Sequence, residues 1–312
     1  MRAISQQVLG GTEVLELVEI DVPEPQTNEV LVRVRAAGVN PVDWLIRAGI
    51  IPPILGEPPF TLGYDVSGVV EEVGSGTTRF KPGDDVHGMT RDAGGYAEFI
   101  SVSSRTLALK PVSLDHVEAA ALPLAGLTAW QGLVGGASLE AGQRVLIHGS
   151  GGGVGHLAVQ IAKARGAYVI GTASADKRDF VLGLGADEVL DYRAVDFAET
   201  VHDVDVVFNL INANTGASYS ERSLGTIRPG GVLVTAVERF DAKLAAQAEA
   251  AGVRYVETAV ESDYAELERL DELVDEKRLR AQVAHTFPLE EARRAHELLE
   301  QGHVKGKIVL TV

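Results

Sequence analysis

Apolar and polar residues alternate along the first third of the chain. Residues 13–20 read EVLELVEI, 29–39 EVLVRVRAAGV, 65–74 DVSGVVEEVG and 94–102 GGYAEFISV. A period of two predicts strands with one buried face, and the turn-forming PEPQTN and KPGDDV between them predict an antiparallel β-rich region. The proline-rich stretch GIIPPILGEPPF, residues 49–60, predicts an irregular loop. Further on the rhythm changes. RVLIH, AYVIGT, DEVLDY, VDVVFNL, GVLVTAV and VRYVE are short apolar runs, separated by helix-like stretches such as VGHLAVQIAKAR and DKRDFVLGL. Such alternation predicts βαβ units, hence a parallel sheet with helices on both faces. The last segment, HTFPLEEARRAHELLEQGHVKGKIVLTV, reads as an amphipathic helix and a closing strand. That strand has no βα partner in sequence and is expected to return to the first region. The fold class is therefore α/β: a β-rich domain and a doubly wound parallel-sheet domain inserted into it.

A length of 312 residues accommodates two domains, and 46% hydrophobic with 23% charged residues is ordinary for a globular protein. No apolar run reaches the roughly 18 residues of a membrane span, and the N-terminus lacks the pattern of a secretory signal. The chain has no cysteine, which removes disulfides, thiolate zinc clusters and cysteine nucleophiles together. A cytoplasmic location is the simplest expectation. The net charge of −16 comes with no basic stripe, so no nucleic-acid partner is expected. Acidic runs such as residues 261–276 read as solvated helix faces. A phosphate site here has to be made locally, by backbone N–H groups and a few placed cations.

The glycine run provides one. Five glycines fall within residues 149–155, between the strand RVLIH and the helix VGHLAVQIAKARG. Gly149, Gly152 and Gly155 keep the spacing logic of a dinucleotide-binding fingerprint without the strict GxGxxG string: a tight turn, a bare approach to pyrophosphate, and close helix packing. Ser150, Gly152, Gly153 and Val154 are the candidate contacts. At the end of the next strand an NAD site usually places Asp or Glu. This chain has Thr172, Ala173 and Ser174, then Asp176, Lys177 and Arg178. Thr172, Ser174 and the two cations suit a 2′-phosphate, so the cofactor expected is NADPH. Lys177 and Arg178 also read as solvated first-turn residues. Tyr192 flanks the same phosphate or simply ends the third strand.

FKPGDDV, AAALPLAGLTAWQGL, GGGVGHLAVQIAKARGA, GADEVLDY and GKIVL occur in order over nearly the whole chain, with GVNPVD and LGYDVSGVV among them. In these segments the chain resembles zinc-independent quinone and alkenal/enone reductases of the medium-chain dehydrogenase/reductase superfamily. The resemblance implies a GroES-like catalytic domain over residues 1–118 and 280–312 and an NADPH-binding Rossmann domain over 119–279. It also implies a small quinone or enone as substrate and a homodimer or homotetramer. Zinc members carry Cys in the segment matching GVNPVD and Gly-His-Glu where this chain has Gly63-Tyr64-Asp65. Asn40 and Tyr64 stand at those ligand positions, and the eight histidines are scattered singly, read as surface or strand-end residues, so no metal is expected.

The resemblance places Asn40 beside the nicotinamide, although Asn-Pro-x-Asp is also a good helix start with Asn40 capping and Asp43 at the dipole end. Tyr64 either donates to a substrate carbonyl or packs against the ring. Trp44 and Phe240 are aromatic candidates for the substrate wall or plain core. Thr128 matches a threonine at the nicotinamide end. Asn209 and Val237 end sheet strands, where open α/β sheets bind ligands. Lys307 closes over the cofactor or is a basic surface turn. Conjugated acceptors need no Lewis acid, so direct hydride transfer is the expected chemistry. The alternatives are an acyl-chain enoyl reductase and a nucleotide-binding sensor or structural protein without catalysis.

Overall fold

A computed structural model describes residues 1–51, 55–211, 218–237 and 241–312. They form two compact units. The first comprises Met1–Leu127, Glu261–Glu276 and Ala281–Val312, and the second Thr128–Val260 with Lys277–Arg280.

The first unit is built on Glu29–Val39, an eleven-residue strand. Asp65–Val73 and Lys307–Thr311 flank it, both antiparallel, and Phe99–Ser103 pairs antiparallel with it as well. Asp85–Met89 and Leu107–Leu109 extend the sheet. Val30, Val32 and Val34, spaced by two, bury one face with Val66, Val70, Val86, Ile100 and Leu107. A smaller antiparallel sheet joins Glu16–Glu19, Arg2–Gln6 and Phe60–Thr61.

Two expectations change here. The closing strand does have a βα partner: Val283–Pro288 runs parallel to Lys307–Thr311, and the helix Ala292–Glu300 lies between them in sequence. VAHTFP, half-exposed with His and Thr at its centre, does not show the apolar signature of a parallel strand. The unit also extends beyond the expected boundaries, taking in residues 119–127 and 261–276. The acidic helix Tyr264–Asp275 is held there by Arg79. That guanidinium lies 3.6 Å from the Tyr264 ring centroid and pairs with Glu268 at 2.8 Å. Leu267, Leu270 and Val274 are buried, and Asp271 accepts from His87 at 3.0 Å. That helix is therefore solvated on one face only.

The second unit is a six-stranded parallel sheet. Its order is Glu188–Asp191, Tyr168–Ala173, Arg144–His148, Val204–Asn209, Ile227–Thr235 and Arg254–Glu257. Counted along the chain this is 3-2-1-4-5-6, with a topological switch point at the carboxyl end of Arg144–His148. Leu146, Ile170, Val207 and Leu233, one from each of four strands, share a core with Leu244 and Val253. Among the described residues no helix is long and apolar enough to cross a membrane.

Candidate functional site

The glycine turn lies at the switch point of the second unit. Gly149 has φ +74°, a conformation that side chains disfavour. A Cβ on Gly155 would stand 2.1 Å from the Gly149 carbonyl oxygen, so only glycine lets the helix Gly155–Ala164 start this close to the strand. Among the described residues the amides of Gly151, Gly153 and Val154 have no backbone acceptor. Three free N–H groups at a helix start are what an anion binds. The dinucleotide therefore fits this turn, with Gly152, Gly153 and Val154 half-exposed beside it.

Behind the turn the polar residues brace one another. Ser150 is fully buried, and both its amide and its hydroxyl donate to the Thr172 carbonyl, at 3.1 and 2.9 Å. Gly149 N–H donates to Thr172 Oγ1 at 3.3 Å, and Thr172 Oγ1 lies 3.2 Å from His148 Nδ1. Ser223 Oγ donates to the Tyr219 carbonyl at 2.6 Å and so receives the Nε2 hydrogen of His148 at 2.9 Å. His148 is thus the Nε2–H tautomer, and Thr172 donates to its Nδ1. Burial, helped by the charge of Arg222, pushes His148 down to about 3. Ser150 and Thr172, read from sequence as cofactor contacts, shape the turn from within. Asn209 does likewise: it is buried, donates to Ser220 Oγ at 2.9 Å and accepts from Ile211 N.

Lys177 and Arg178 separate. The Lys177 stem lies on Gly151, where an added Cβ would meet Lys177 Cδ at 2.9 Å. Arg178 is exposed and sits 3.9 Å from Asp179. Ser174 is buried, and its carbonyl accepts from Lys177 N. Tyr192 is exposed and stacks with Arg193 at 5.4 Å. Val237 is half-buried, its amide on Thr235 Oγ1 at 3.3 Å. Thr128 is buried in the helix Pro123–Trp130.

The first unit gathers Asn40, Asp65 and Lys307, all buried. Asn40 Nδ2 donates to Asp65 Oδ2 at 2.9 Å, and Lys307 donates to Asn40 Oδ1 and, at 3.3 Å, to Asp65 Oδ2. Leu124 N completes the set on Asp65 Oδ1 at 2.6 Å. Because an ammonium only donates, the amide orientation is settled, with one Nδ2 hydrogen uncommitted among the described residues. Lys307, 3% exposed, is not the basic surface turn that its sequence context allows. Asn40 also opens the helix Pro41–Arg47 in a capping box, in which Asp43 accepts the Asn40 N–H at 2.8 Å.

Tyr64 follows Gly63 on the approach to the strand Asp65–Val73. Its hydroxyl is buried with no hydrogen-bond partner among the described residues. Burial first, then the charges of Asp43 and Asp92, raise its pKa well above the ordinary phenol value, so it stays protonated and able to donate. Trp44, on the helix Pro41–Arg47, is half-buried. Phe240 lies outside the described residues.

Sequence reasoning did not single out Asp65, Tyr96, Arg47 or His296. Asp65 had a signal, since it stands at the Glu of Gly-His-Glu. The others meet only in space. The histidines are not all at the surface or at strand ends: His87, His156 and His296 are buried with packed or bonded rings, because a neutral imidazole with a partner tolerates a core. Among the described residues no group of three or more His, Asp or Glu is placed to hold a metal ion.

The alcohol dehydrogenase GroES-like domain family matches residues 26–112, and the zinc-binding dehydrogenase family matches residues 184–310. Human quinone oxidoreductase is 33% identical over 99% of this chain and 97% of its own length. The solved quinone oxidoreductase from Coxiella burnetii superposes with a TM-score of 0.93 at 36% identity, covering 100% and 99% of the two chains. Escherichia coli quinone oxidoreductase complexed with NADPH gives 0.89 at 31%, covering both chains fully.

Proposed function

Since the chain belongs to the quinone oxidoreductase branch of the medium-chain dehydrogenase/reductase superfamily, we propose that it is an NADPH-dependent reductase of quinones or α,β-unsaturated carbonyl compounds, working without a metal. The observation that carries the cofactor choice is the Lys177 stem seated on Gly151, next to a strand end with no carboxylate. A cation on the phosphate-binding turn favours the extra 2′-phosphate that an acid would repel. Gly152, Gly153, Val154 and Lys177 would hold the cofactor, and its reduced nicotinamide supplies the hydride.

The rest is done by the chain's own groups. Hydride addition to a conjugated acceptor leaves negative charge on its oxygen. Tyr64, protonated and without a partner among the described residues, donates to that oxygen. An unmade hydrogen bond on a buried hydroxyl costs about 1–3 kcal/mol, which a ligand oxygen recovers. Asn40, oriented by Asp65 and Lys307, offers its remaining amide hydrogen. An amide and a phenol at these positions are poor zinc ligands, which supports the metal-free reading. A cysteine-free chain suits the cytoplasm, and a homodimer or homotetramer goes with the family resemblance.

The test is steady-state kinetics with NADPH and NADH against a benzoquinone, a small enone and an enoyl thioester. Lys177→Ala is expected to raise the KM for NADPH about 10- to 100-fold while sparing NADH, the loss of one charge-assisted bond, with Arg178→Ala doing less. Equal effects on both cofactors refute the phosphate assignment. Turnover of the thioester alone favours the enoyl reductase reading, and NADPH binding without any turnover favours the sensor.

A further inference from the structure

One carboxylate in the first unit touches the backbone beside both proposed donors. Asp43 is fully buried. Its Oδ2 accepts from Asn40 N at 2.8 Å and from the Tyr96 hydroxyl at 3.1 Å, and its Oδ1 accepts from Gly63 N, the residue before Tyr64, at 3.1 Å. Proton positions follow from the partners. Arg47 Nη1 lies 3.3 Å from His296 Nδ1, and a guanidinium only donates, so the imidazole hydrogen is on Nε2. Nε2 lies 3.3 Å from the Tyr96 oxygen and donates to it, which sends the tyrosine's own hydrogen to Asp43. Every neighbour bonded to Asp43 is therefore a donor. A proton taken up by this carboxyl group removes the negative charge that all three donors face, and weakens the bonds they make to it.

We propose that the Asp43 carboxylate is a positioning group for the reaction: ionised, it holds the Asn40 and Gly63–Tyr64 backbones in place, and proton uptake weakens that hold and lowers turnover. The inference rests on the reading that Asn40 and Tyr64 serve an acceptor.

The surroundings place this exchange near neutral pH. Burial pushes Asp43 up to about 7, its hydrogen bonds pulling back against that and the Asp65 charge adding to it. The other ionisable groups around it are Tyr64 and Tyr96, both raised by burial first, Arg47 on its own helix, His296 from the helix Ala292–Glu300, and Lys307, which pairs with Asp65. His296 is held down at about 3 by burial and by Arg47, so it is neutral there.

Trp44 adjoins Asp43, and the chain has only one other tryptophan, Trp130. The experiment uses the full chain with Trp130→Phe and records Trp44 fluorescence from pH 5 to 9. Over the same range it measures kcat and KM for a benzoquinone with NADPH. Expected is a single fluorescence inflection near pH 7, matched by a fall in kcat on the acid side, with the KM for NADPH flat. Tyr96→Phe removes one donor and moves both inflections up by about one pH unit. Asp43→Asn abolishes the fluorescence inflection and gives a second reading should Tyr96→Phe fold poorly. An inflection unmoved by Tyr96→Phe, or one that persists in Asp43→Asn, overturns the proposal. Fluorescence that titrates and shifts while no acceptor is reduced supports the Asp43 hold and overturns the reductase reading. Turnover without any such titration does the reverse.

Discussion

His148 ties the glycine turn to acid stability. It is fully buried at the end of Arg144–His148, its ring against Phe197 at 4.5 Å and Tyr219 at 5.1 Å. The chain of donors runs from Gly149 N to Thr172 Oγ1 to Nδ1, and from Nε2 to Ser223 Oγ to the Tyr219 carbonyl. A proton on Nδ1 forces the Thr172 hydroxyl to turn away and places a charge near Arg222. Burial first, and then the charge of Arg222, depress the ring from 6.5 to about 3. The sign follows from linkage. A histidine lowered on folding contributes stability that is whole above pH 6.5 and disappears as pH falls toward 3. One proton gives a slope of at most about 1.4 kcal/mol per pH unit, so lowering the pH from 6.5 to 4.5 removes about 2 kcal/mol. Urea unfolding followed by circular dichroism, at several pH values in that interval, measures it against His148→Gln, whose amide keeps a donor but does not titrate. The wild type is expected to lose about 2 kcal/mol more than the variant over the interval. Two parallel curves would show that His148 contributes no pH-dependent stability, and would refute the burial argument.

Two further substitutions separate binding from folding. Gly155→Ala puts a Cβ 2.1 Å from a backbone oxygen and is expected to cost about 1–3 kcal/mol in thermal or urea unfolding. At Gly152 the nearest atom is 3.3 Å away, so Gly152→Ala is expected to change stability by about 1 kcal/mol or less while weakening NADPH in a fluorescence titration. Equal stability losses would count against the cradle. Tyr64→Phe removes a buried hydroxyl that has no partner among the described residues, so stability is expected to hold or rise by up to about 1 kcal/mol. Its kcat is expected to fall about 100-fold, the usual effect of losing one donor to a developing oxyanion, and an unchanged kcat would remove Tyr64 from the reaction.

What local pattern determined was the two-region architecture and the place of the phosphate turn. A period of two, strand–helix alternation and the glycine spacing at 149–155 are set within a few residues of chain, and the backbone geometry they require is local. Tertiary structure decided which polar groups face a ligand and which brace the fold. Thr172, Ser150 and Asn209 read as ligand contacts, yet their hydrogen-bonding groups are engaged inside the second unit. Asp43 and Lys307 reach partners 20 to 267 positions away. A hydrogen bond depends on distance and direction in space, and sequence separation carries neither. The boundary of the first unit was hidden for the same reason: Arg79 and His87 capture a helix nearly 190 residues on, through contacts that no local period records.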